Sequence, residues 1–280
     1  MEKRIITESM LLDYRNYLKE EEKSRNTIEK YMRDIREFHV WLAEYPLSRQ
    51  KVMAYKERLK EIYAVRSVNS ILSSVNSFLR YCGWSDCCVR LLRIQNQIFC
   101  TQDRELSRED YRKLIETARK QKKERLEAAL QTICATGIRI SELSFITVEA
   151  VCCGKATVSC KGKCRQVFLP RKLQMLLKQY ICRKKIRTGP VFVTKSGKIW
   201  DRSNIWREMK ALCQEAGVHP GKVFPHNLRH LFARTYYNMK KDIAKLADIL
   251  GHSSINTTRI YIVSTGNEHR KQIECLGLVL

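Results

Sequence analysis

The stretch LGHSSINTTRIY at residues 250–261 places a tyrosine nine residues after a histidine. Upstream, residues 226–230 read HNLRH and residues 135–143 read ATGIRISEL. Together these segments contribute arginines, histidines and a tyrosine from widely separated parts of the chain. Arginines can neutralise a phosphate, histidines can move protons or donate hydrogen bonds, and a tyrosine can attack. The combination therefore suits chemistry on a phosphodiester.

The first 100 residues show the apolar periodicity of helices, with spacings of three and four. The apolar stripes are Leu11, Tyr14 and Leu18; Tyr31, Ile35, Phe38 and Leu42; Val52, Tyr55, Leu59 and Ile62; and Val68, Ile71, Val75 and Leu79. We expect Asn26 or Thr27 to cap the second helix. We expect Gly83 to end the fourth in the left-handed conformation.

The later part of the chain has a mixed character. Ser107 begins a capping-box sequence that predicts a new helix. Short β-like runs on both sides of KGK at residues 161–163 predict a hairpin, and residues 191–193 predict one more strand. Pro225 suits the first turn of the helix that carries HNLRH. We therefore predict a mainly α chain with a small β-hairpin.

The charge balance points to an acidic partner. The 280 residues include 53 Lys and Arg against 29 Asp and Glu, a formal net charge of +24, which makes nucleic acid the first candidate. No run approaches the roughly 18 apolar residues that span a bilayer, and the N-terminus has no apolar stretch of signal-peptide length. We expect a soluble, cytoplasmic protein without a membrane partner.

The 12 cysteines do not indicate disulfides or a metal site. A chain of this length without a signal peptide is not a small secreted disulfide scaffold. Cys160 and Cys164 are four apart, but no second Cys or His pair lies nearby at zinc-finger spacing. We expect reduced thiols, mostly buried as small hydrophobic side chains, and no cofactor or metal.

These motifs resemble those of the tyrosine recombinases, the phage-integrase and Xer family. ATGIRISEL resembles box I, which carries an arginine, and the later segments resemble the box II pattern His-x-x-Arg…His…Tyr. Residues 24–42 and 65–84 look like helices of the family's core-binding domain. The resemblance implies a helical, SAM-like core-binding domain at residues 1–100 and a catalytic domain with a C-terminal tail at residues 105–280.

The resemblance also implies a role for each motif residue. Arg139 and Arg229 would clamp the scissile phosphate with bidentate donors. His226 would help to deprotonate the nucleophile, since an unperturbed histidine pKa of about 6.5 suits proton transfer. His252 would donate a hydrogen bond to a phosphate oxygen. Tyr261 would be the nucleophile, and it needs such help because a free phenol has a pKa of about 10.

The family's general acid is a lysine on a β-hairpin, which protonates the leaving 5′-oxygen. Lys161 matches the first lysine of the usual Gly-Lys-Gly turn, but Cys160 replaces the first glycine and the turn looks one residue short. Lys163 therefore remains an alternative. Glu142 matches the acidic position of box I and would support the arginine and histidine network. The family motif gives His230 no catalytic role, so we expect it to be structural.

The resemblance implies a site-specific recombinase that integrates and excises a mobile element. Tyr261 would form a 3′-phosphotyrosyl link, which a 5′-hydroxyl of the partner duplex then attacks, and exchange would pass through a Holliday junction. No ATP or metal ion is needed. Xer-type dimer resolution and supercoil relaxation by a type IB topoisomerase are alternatives. A catalytically silent DNA-binding protein is a third, which the intact residue set disfavours.

The resemblance also implies the assembly and its partners. Double-stranded DNA would be held in a C-shaped clamp, and a homotetramer would form on paired sites. Within residues 262–280, the stretch from Glu268 to Cys275 can form a short helix, and an apolar end follows it. This tail would dock on the neighbouring subunit or fold back on its own domain. Accessory DNA-bending proteins are further candidate partners.

Overall fold

The chain forms a mainly helical structure with one small antiparallel sheet. The computed structural model describes residues 4–43, 45–94, 105–160, 163–194, 196–261 and 274–275, without the side chains of Cys160 and Lys163. The chain divides into two compact units, Met1–Asn96 and Gln97–Leu280. The predicted fold class is confirmed. Within the described residues, no helix has the length and apolar character needed to cross a bilayer.

The first unit is built from helices. They are α1 (Glu8–Glu20), α2 (Arg25–Leu42), α3 (Arg49–Ile62) and α4 (Val65–Tyr81), followed by a 3-10 turn at Ser85–Cys87. The predicted apolar stripes supply much of its core. Gly83, with a φ of +76°, follows α4 as expected. A buried carboxylate, that of Asp34, joins α2 to the Ser74 hydroxyl of α4 at 2.9 Å.

Two details of this unit differ from the sequence predictions. The cap of α2 is Ser24, whose hydroxyl accepts the backbone N–H of Thr27 at 3.3 Å. The prediction of Asn26 or Thr27 was wrong because the helix begins earlier, at Arg25. Ile62 is 57% exposed although it continues the apolar stripe of α3, because it is the last residue of that helix.

The second unit surrounds the buried helix α6. Its elements are α5 (Arg108–Lys120), α6 (Glu124–Thr136), a 3-10 segment (Ile140–Phe145), α7 (Val148–Cys153), β1 (Lys155–Cys160), β2 (Lys163–Phe168), α8 (Arg171–Lys184), α9 (Arg202–Ala216), a 3-10 turn (Pro220–Lys222), α10 (Pro225–Lys240), α11 (Ile243–Leu250) and α12 (Ile255–Arg259). Helix α6 packs against α5, α8, α9 and α10. Ser107 makes the predicted capping box, and Pro225 begins α10 as predicted.

The hairpin is confirmed, and it is longer than the sequence suggested. Strands β1 and β2 pair antiparallel from Lys155 opposite Phe168 to Cys160 opposite Lys163. The strand predicted at residues 191–193 was wrong, because Val193 makes only an isolated bridge to Ile199. This segment is apolar because Val191 and Phe192 fill the core, not because it belongs to a sheet.

Two sequence predictions fall outside the described residues. Lys161, in the hairpin turn, is one of them. The tail is the other, since only Glu274 and Cys275 of residues 262–280 are described.

Candidate active site

A glycine in the box I segment, residues 135–143, allows the turn after α6 to pack closely against α10. Gly137 ends α6 with a φ of +67°, a left-handed conformation that side chains other than glycine rarely adopt. A Cβ at this position would lie 2.4 Å from Cδ1 of Phe232 on α10. Glycine is therefore required both by the turn and by the close approach of the helix. The turn leads directly to Arg139, which caps the 3-10 segment.

Arg139 is held by a buried carboxylate. Glu142, only 1% exposed, accepts the backbone N–H of Arg139 at 2.8 Å and its Nη1 at 3.0 Å. Burial alone would raise the pKa of Glu142. The hydrogen bonds and charges of Arg165 and Arg139 outweigh burial and lower that pKa below its usual value. Glu142 is therefore ionised at neutral pH and fixes the base of Arg139.

Arg229 is the largest fully buried side chain among the described residues, at 2% exposure. Its Nη1 donates to the carbonyl oxygen of Gly137 at 2.5 Å, and its Nη2 donates to that of Leu250 at 2.7 Å. Nη2 also lies 2.9 Å from Nε2 of His252. One guanidinium thus joins α10 to the ends of α6 and α11, bringing together segments that are far apart in sequence.

The hydrogen bonds of His252 define its tautomer. An arginine can only donate, so Nε2 of His252 accepts from Arg229. Nδ1 then carries the proton and donates to Oγ1 of Thr258 at 2.8 Å. Burial, and next the charges of Arg229 and Arg139, lower the pKa of His252 to about 4. His252 is therefore neutral at physiological pH, and its Nε2 is occupied by the arginine.

Tyr261 is buried among three histidine rings. It is 5% exposed, and its ring centroid lies 4.2 Å from that of His230, 5.4 Å from His252 and 5.5 Å from His226. Burial, and next the charge of Arg139, lower the pKa of Arg229, and a hydrogen bond with the Tyr261 hydroxyl partly offsets this effect. The structure thus brings Tyr261 together with Arg229 and the histidines. His230 makes the closest ring contact of the three.

His226 stands at the entrance of this cluster. It follows Pro225 in the first turn of α10, and its side chain is exposed, whereas Arg229 one turn later is buried. Surrounding protein atoms that displace water, followed by the charges of Arg229 and Arg139, lower the pKa of His226. A neutral imidazole in contact with solvent and with the tyrosine ring can accept a proton.

Sequence reasoning missed Arg165 on β2. Both of its terminal nitrogens donate to the Glu142 carboxylate, at 2.9 and 2.7 Å. A signal was available, because Arg165 alternates with Val167 on β2 and pairs with Val158 on β1, and both valines are buried. A charged residue on the buried face of a strand needs a partner. Both candidates for the general acid, Lys161 and the side chain of Lys163, lie outside the part of the chain that the structure describes.

The described part of the site is rich in cations. Across residues 4–43, 45–94, 105–160, 163–194 and 196–261, no group of three or more His, Cys, Asp and Glu is placed to hold a metal ion. The guanidiniums of Arg139, Arg165 and Arg229 supply the positive charge instead. Such a site favours a bound phosphate oxyanion.

Comparison with known proteins covers both units of the chain. The phage integrase family matches residues 104–268, and the phage integrase N-terminal SAM-like domain matches residues 11–85. The chain is 28% identical to the tyrosine recombinase XerA of Pyrococcus furiosus over 290 aligned residues, which cover 100% of this chain and 98% of XerA.

Solved structures share the fold. A lambda integrase dimer bound to a COC′ core site superposes with a TM-score of 0.74 at 16% identity, covering 91% of this chain and 95% of that one. A lambda integrase tetramer bound to a Holliday junction gives a TM-score of 0.72 at 16% identity, covering 90% and 76%. Since the family match alone spans more than half of the sequence, the chain belongs to the phage integrase family, the tyrosine-type site-specific DNA recombinases.

Proposed function

We propose that Tyr261 attacks the scissile phosphate of a specific DNA site and forms a 3′-phosphotyrosyl link with release of a 5′-hydroxyl. The observation that carries this proposal is the position of the Tyr261 ring, among three histidine rings and beside the buried guanidinium of Arg229. A nucleophile, candidate bases and an oxyanion ligand in one cluster are the groups that acyl- or phosphoryl-transfer chemistry needs.

The two family arginines bind the phosphate. A guanidinium carries five N–H groups. Contacts to Gly137, Leu250 and His252 occupy three of those on Arg229. The Tyr261 hydroxyl bonds to the same guanidinium, and a phosphate oxygen can take over that contact when the tyrosine attacks. Arg139 keeps 38% of its side chain exposed while Glu142 holds one terminal nitrogen, so the rest of its guanidinium can reach the same phosphate.

The histidines have separate roles, since His226 accepts a proton and His252 binds the phosphate. His226 takes the proton of the Tyr261 hydroxyl, since it is neutral and contacts the tyrosine ring. His252 donates to a phosphate oxygen as its other neutral tautomer, with the proton on Nε2 and with Nδ1 accepting from the Thr258 hydroxyl, once the Arg229 N–H now bonded to Nε2 turns to the phosphate. Binding of the phosphate favours this change, because its oxygens accept hydrogen bonds from both His252 and Arg229.

A hairpin lysine protonates the leaving 5′-oxygen. Lys161, two residues before β2 in the sequence, is our assignment, and Lys163, the first residue of β2, is the alternative. In the second step a 5′-hydroxyl of the partner duplex attacks the phosphotyrosine. That link retains the energy of the phosphodiester, so rejoining needs no ATP.

The assembly we propose is a homotetramer on paired sites that exchanges strands through a Holliday junction. Support comes from a shared fold with the lambda integrase tetramer on such a junction and from the formal net charge of +24. The tail at residues 262–280 would dock on the neighbouring subunit. Because the relative that aligns over the whole chain is a tyrosine recombinase, which acts on DNA, we place the chain in the cytoplasm.

The biological outcome we propose is integration and excision of a mobile element. Xer-type dimer resolution is the second candidate, and the alignment with XerA over the whole chain favours it. Sequencing the DNA around the gene separates the two, since short repeats that bound a mobile segment are expected only for the first.

Tyr261→Phe should abolish the covalent adduct and leave DNA affinity within about twofold, because it removes a hydroxyl while the ring keeps its contacts with the histidines. The measurement uses a nicked suicide duplex built on the site that selection from random DNA yields. Tyr237→Phe, on α10 of the same unit, is the matched control and should form the adduct. An adduct in Tyr261→Phe, mapped to another residue, would refute the assignment.

Lys161→Ala should cleave an ordinary substrate about 100-fold more slowly than the unaltered protein, the usual scale of general acid catalysis. A bridging 5′-phosphorothiolate has a leaving group that needs no proton, so cleavage by this variant should recover on it. Arg139→Ala should not recover, since phosphate neutralisation is still missing. Recovery by Lys163→Ala in place of Lys161→Ala would move the acid two residues along.

The rate of adduct formation at subsaturating DNA, which reports the free enzyme, should stay level from about pH 8 down to about pH 6.5. It should fall only at lower pH, because the lowered pKa keeps His226 neutral and able to accept a proton above that range. His226→Asn should be slower at every pH and lack this acid-side fall. An unchanged acid limb in His226→Asn would assign it to another group.

A further inference from the structure

Arg165 has no role in the scheme above, yet it makes a bidentate, largely buried ion pair within the site. It pairs with Glu142 through two parallel hydrogen bonds, at 2.9 and 2.7 Å. Its side chain is 15% exposed and that of Glu142 is 2% exposed. Bidentate arginine–carboxylate pairs with this little solvent hold their geometry far better than exposed ion pairs.

The Glu142 carboxylate shares each of its oxygens between two donors. Oε1 accepts from Nη1 of Arg165 and from Nη1 of Arg139. Oε2 accepts from Nη2 of Arg165 and from the backbone N–H of Arg139. The plane of the carboxylate, set by Arg165 on one side, therefore fixes both the backbone and the guanidinium of Arg139 on the other.

Arg165 also supports the turn before His252. A Cβ built on Gly251 would lie 2.7 Å from Cδ and 3.0 Å from Nη1 of Arg165. The backbone of this turn thus rests directly on the arginine stem, and only glycine leaves room for it. The φ of +66° at Gly251 is a second reason for glycine there.

The charge balance explains why a second arginine is needed. The positive charge of Arg165 neutralises the carboxylate of Glu142. The positive charge of Arg139 therefore remains available to the DNA phosphate. Without Arg165, the buried carboxylate would draw on Arg139 alone, because an uncompensated buried charge is costly. The guanidinium of Arg139 would then be pulled toward Glu142 and away from the phosphate.

We propose that Arg165 is a positioning residue that orients and frees Arg139 for the scissile phosphate by saturating Glu142. This inference rests on the proposed function, in which Arg139 binds that phosphate. Arg165 does not itself contact the reacting atoms.

A double-mutant cycle tests the route through Glu142. Single-turnover cleavage of the suicide duplex is measured for Arg165→Met, Glu142→Gln and the double variant. Arg165→Met should be about 100-fold slower than the unaltered protein, the scale expected when a reacting group shifts by about 1 Å. In the Glu142→Gln background the same change should cost less than about threefold, because the neutral amide no longer competes for Arg139. Fully additive effects would overturn the proposal.

The 5′-phosphorothiolate duplex separates an effect on Arg139 from an effect on the hairpin lysine, which precedes Arg165 by four residues in the sequence. Arg165→Met should remain slow on this substrate, as Arg139→Ala does. Recovery would show that Arg165 acts through the lysine and would overturn the proposal. Arg171→Met, at the exposed start of α8, is the matched control and should cleave within about twofold of the unaltered protein.

Arg165→Lys covers the case in which Arg165→Met lowers the melting temperature. Lysine keeps the charge but cannot bond both carboxylate oxygens in a fixed plane, so an intermediate rate is expected. Cleavage by Arg165→Lys at the unaltered rate would overturn the proposal. Failure of the unaltered protein to form any adduct would instead refute the proposed function, which keeps the two failures apart.

Discussion

The site depends on one buried guanidinium and the carbonyl groups that surround it. Arg229 donates to the carbonyl oxygens of Gly137 and Leu250, which stand at the C-terminal ends of α6 and α11. The last carbonyls of a helix lack intrahelical partners and carry the negative end of the helix dipole. Two helix ends therefore converge on a cation that would be costly to bury alone. Their partial charges stabilise Arg229, and a phosphate would complete its neutralisation.

Burial, assisted by the same positive charge, keeps the histidines neutral. Arg139, Arg165 and Arg229 carry three positive charges against the single negative charge of Glu142, a surplus of two. Together with burial, the nearby arginine charges lower the histidine pKa values, to about 4 for His230 and His252. Burial of the cluster and its surplus of positive charge thus give both a neutral base beside the tyrosine and a phosphate site. The protein needs no separate device to keep its histidines neutral.

Sequence motifs correctly predicted several local features of the backbone. Gly83 follows α4 in the left-handed conformation, Ser107 makes a capping box, and Pro225 starts α10, each for a reason contained in a few neighbouring residues. The identities of the candidate site residues came from resemblance to a family. The assembly of these residues around Tyr261 depends on the tertiary packing of the second unit.

The sequence could not predict tertiary contacts between residues that are distant along the chain. Arg165 reaches Glu142 only because β2 turns that face toward the 3-10 segment, and 23 residues separate the two in sequence. His230 was read as structural, yet its ring lies 4.2 Å from that of Tyr261, closer than His226 or His252. Residues 191–193 looked like a strand because burial and strand formation select the same apolar residues. The alternation of β2 marks Arg165 as needing a buried partner, but no local rule identifies that partner or predicts the other two outcomes.

The central claim is that Arg229, held by two helix ends, forms the phosphate site at which Tyr261 reacts. A crystal structure of the protein with nicked target DNA and orthovanadate, which mimics a pentacovalent phosphate, tests it most directly. The account predicts vanadium bonded to Oη of Tyr261, with a vanadate oxygen within hydrogen-bond distance of both Arg229 and Arg139. Vanadate bonded to another side chain, or a Tyr261–vanadate without an Arg229 contact, would contradict it.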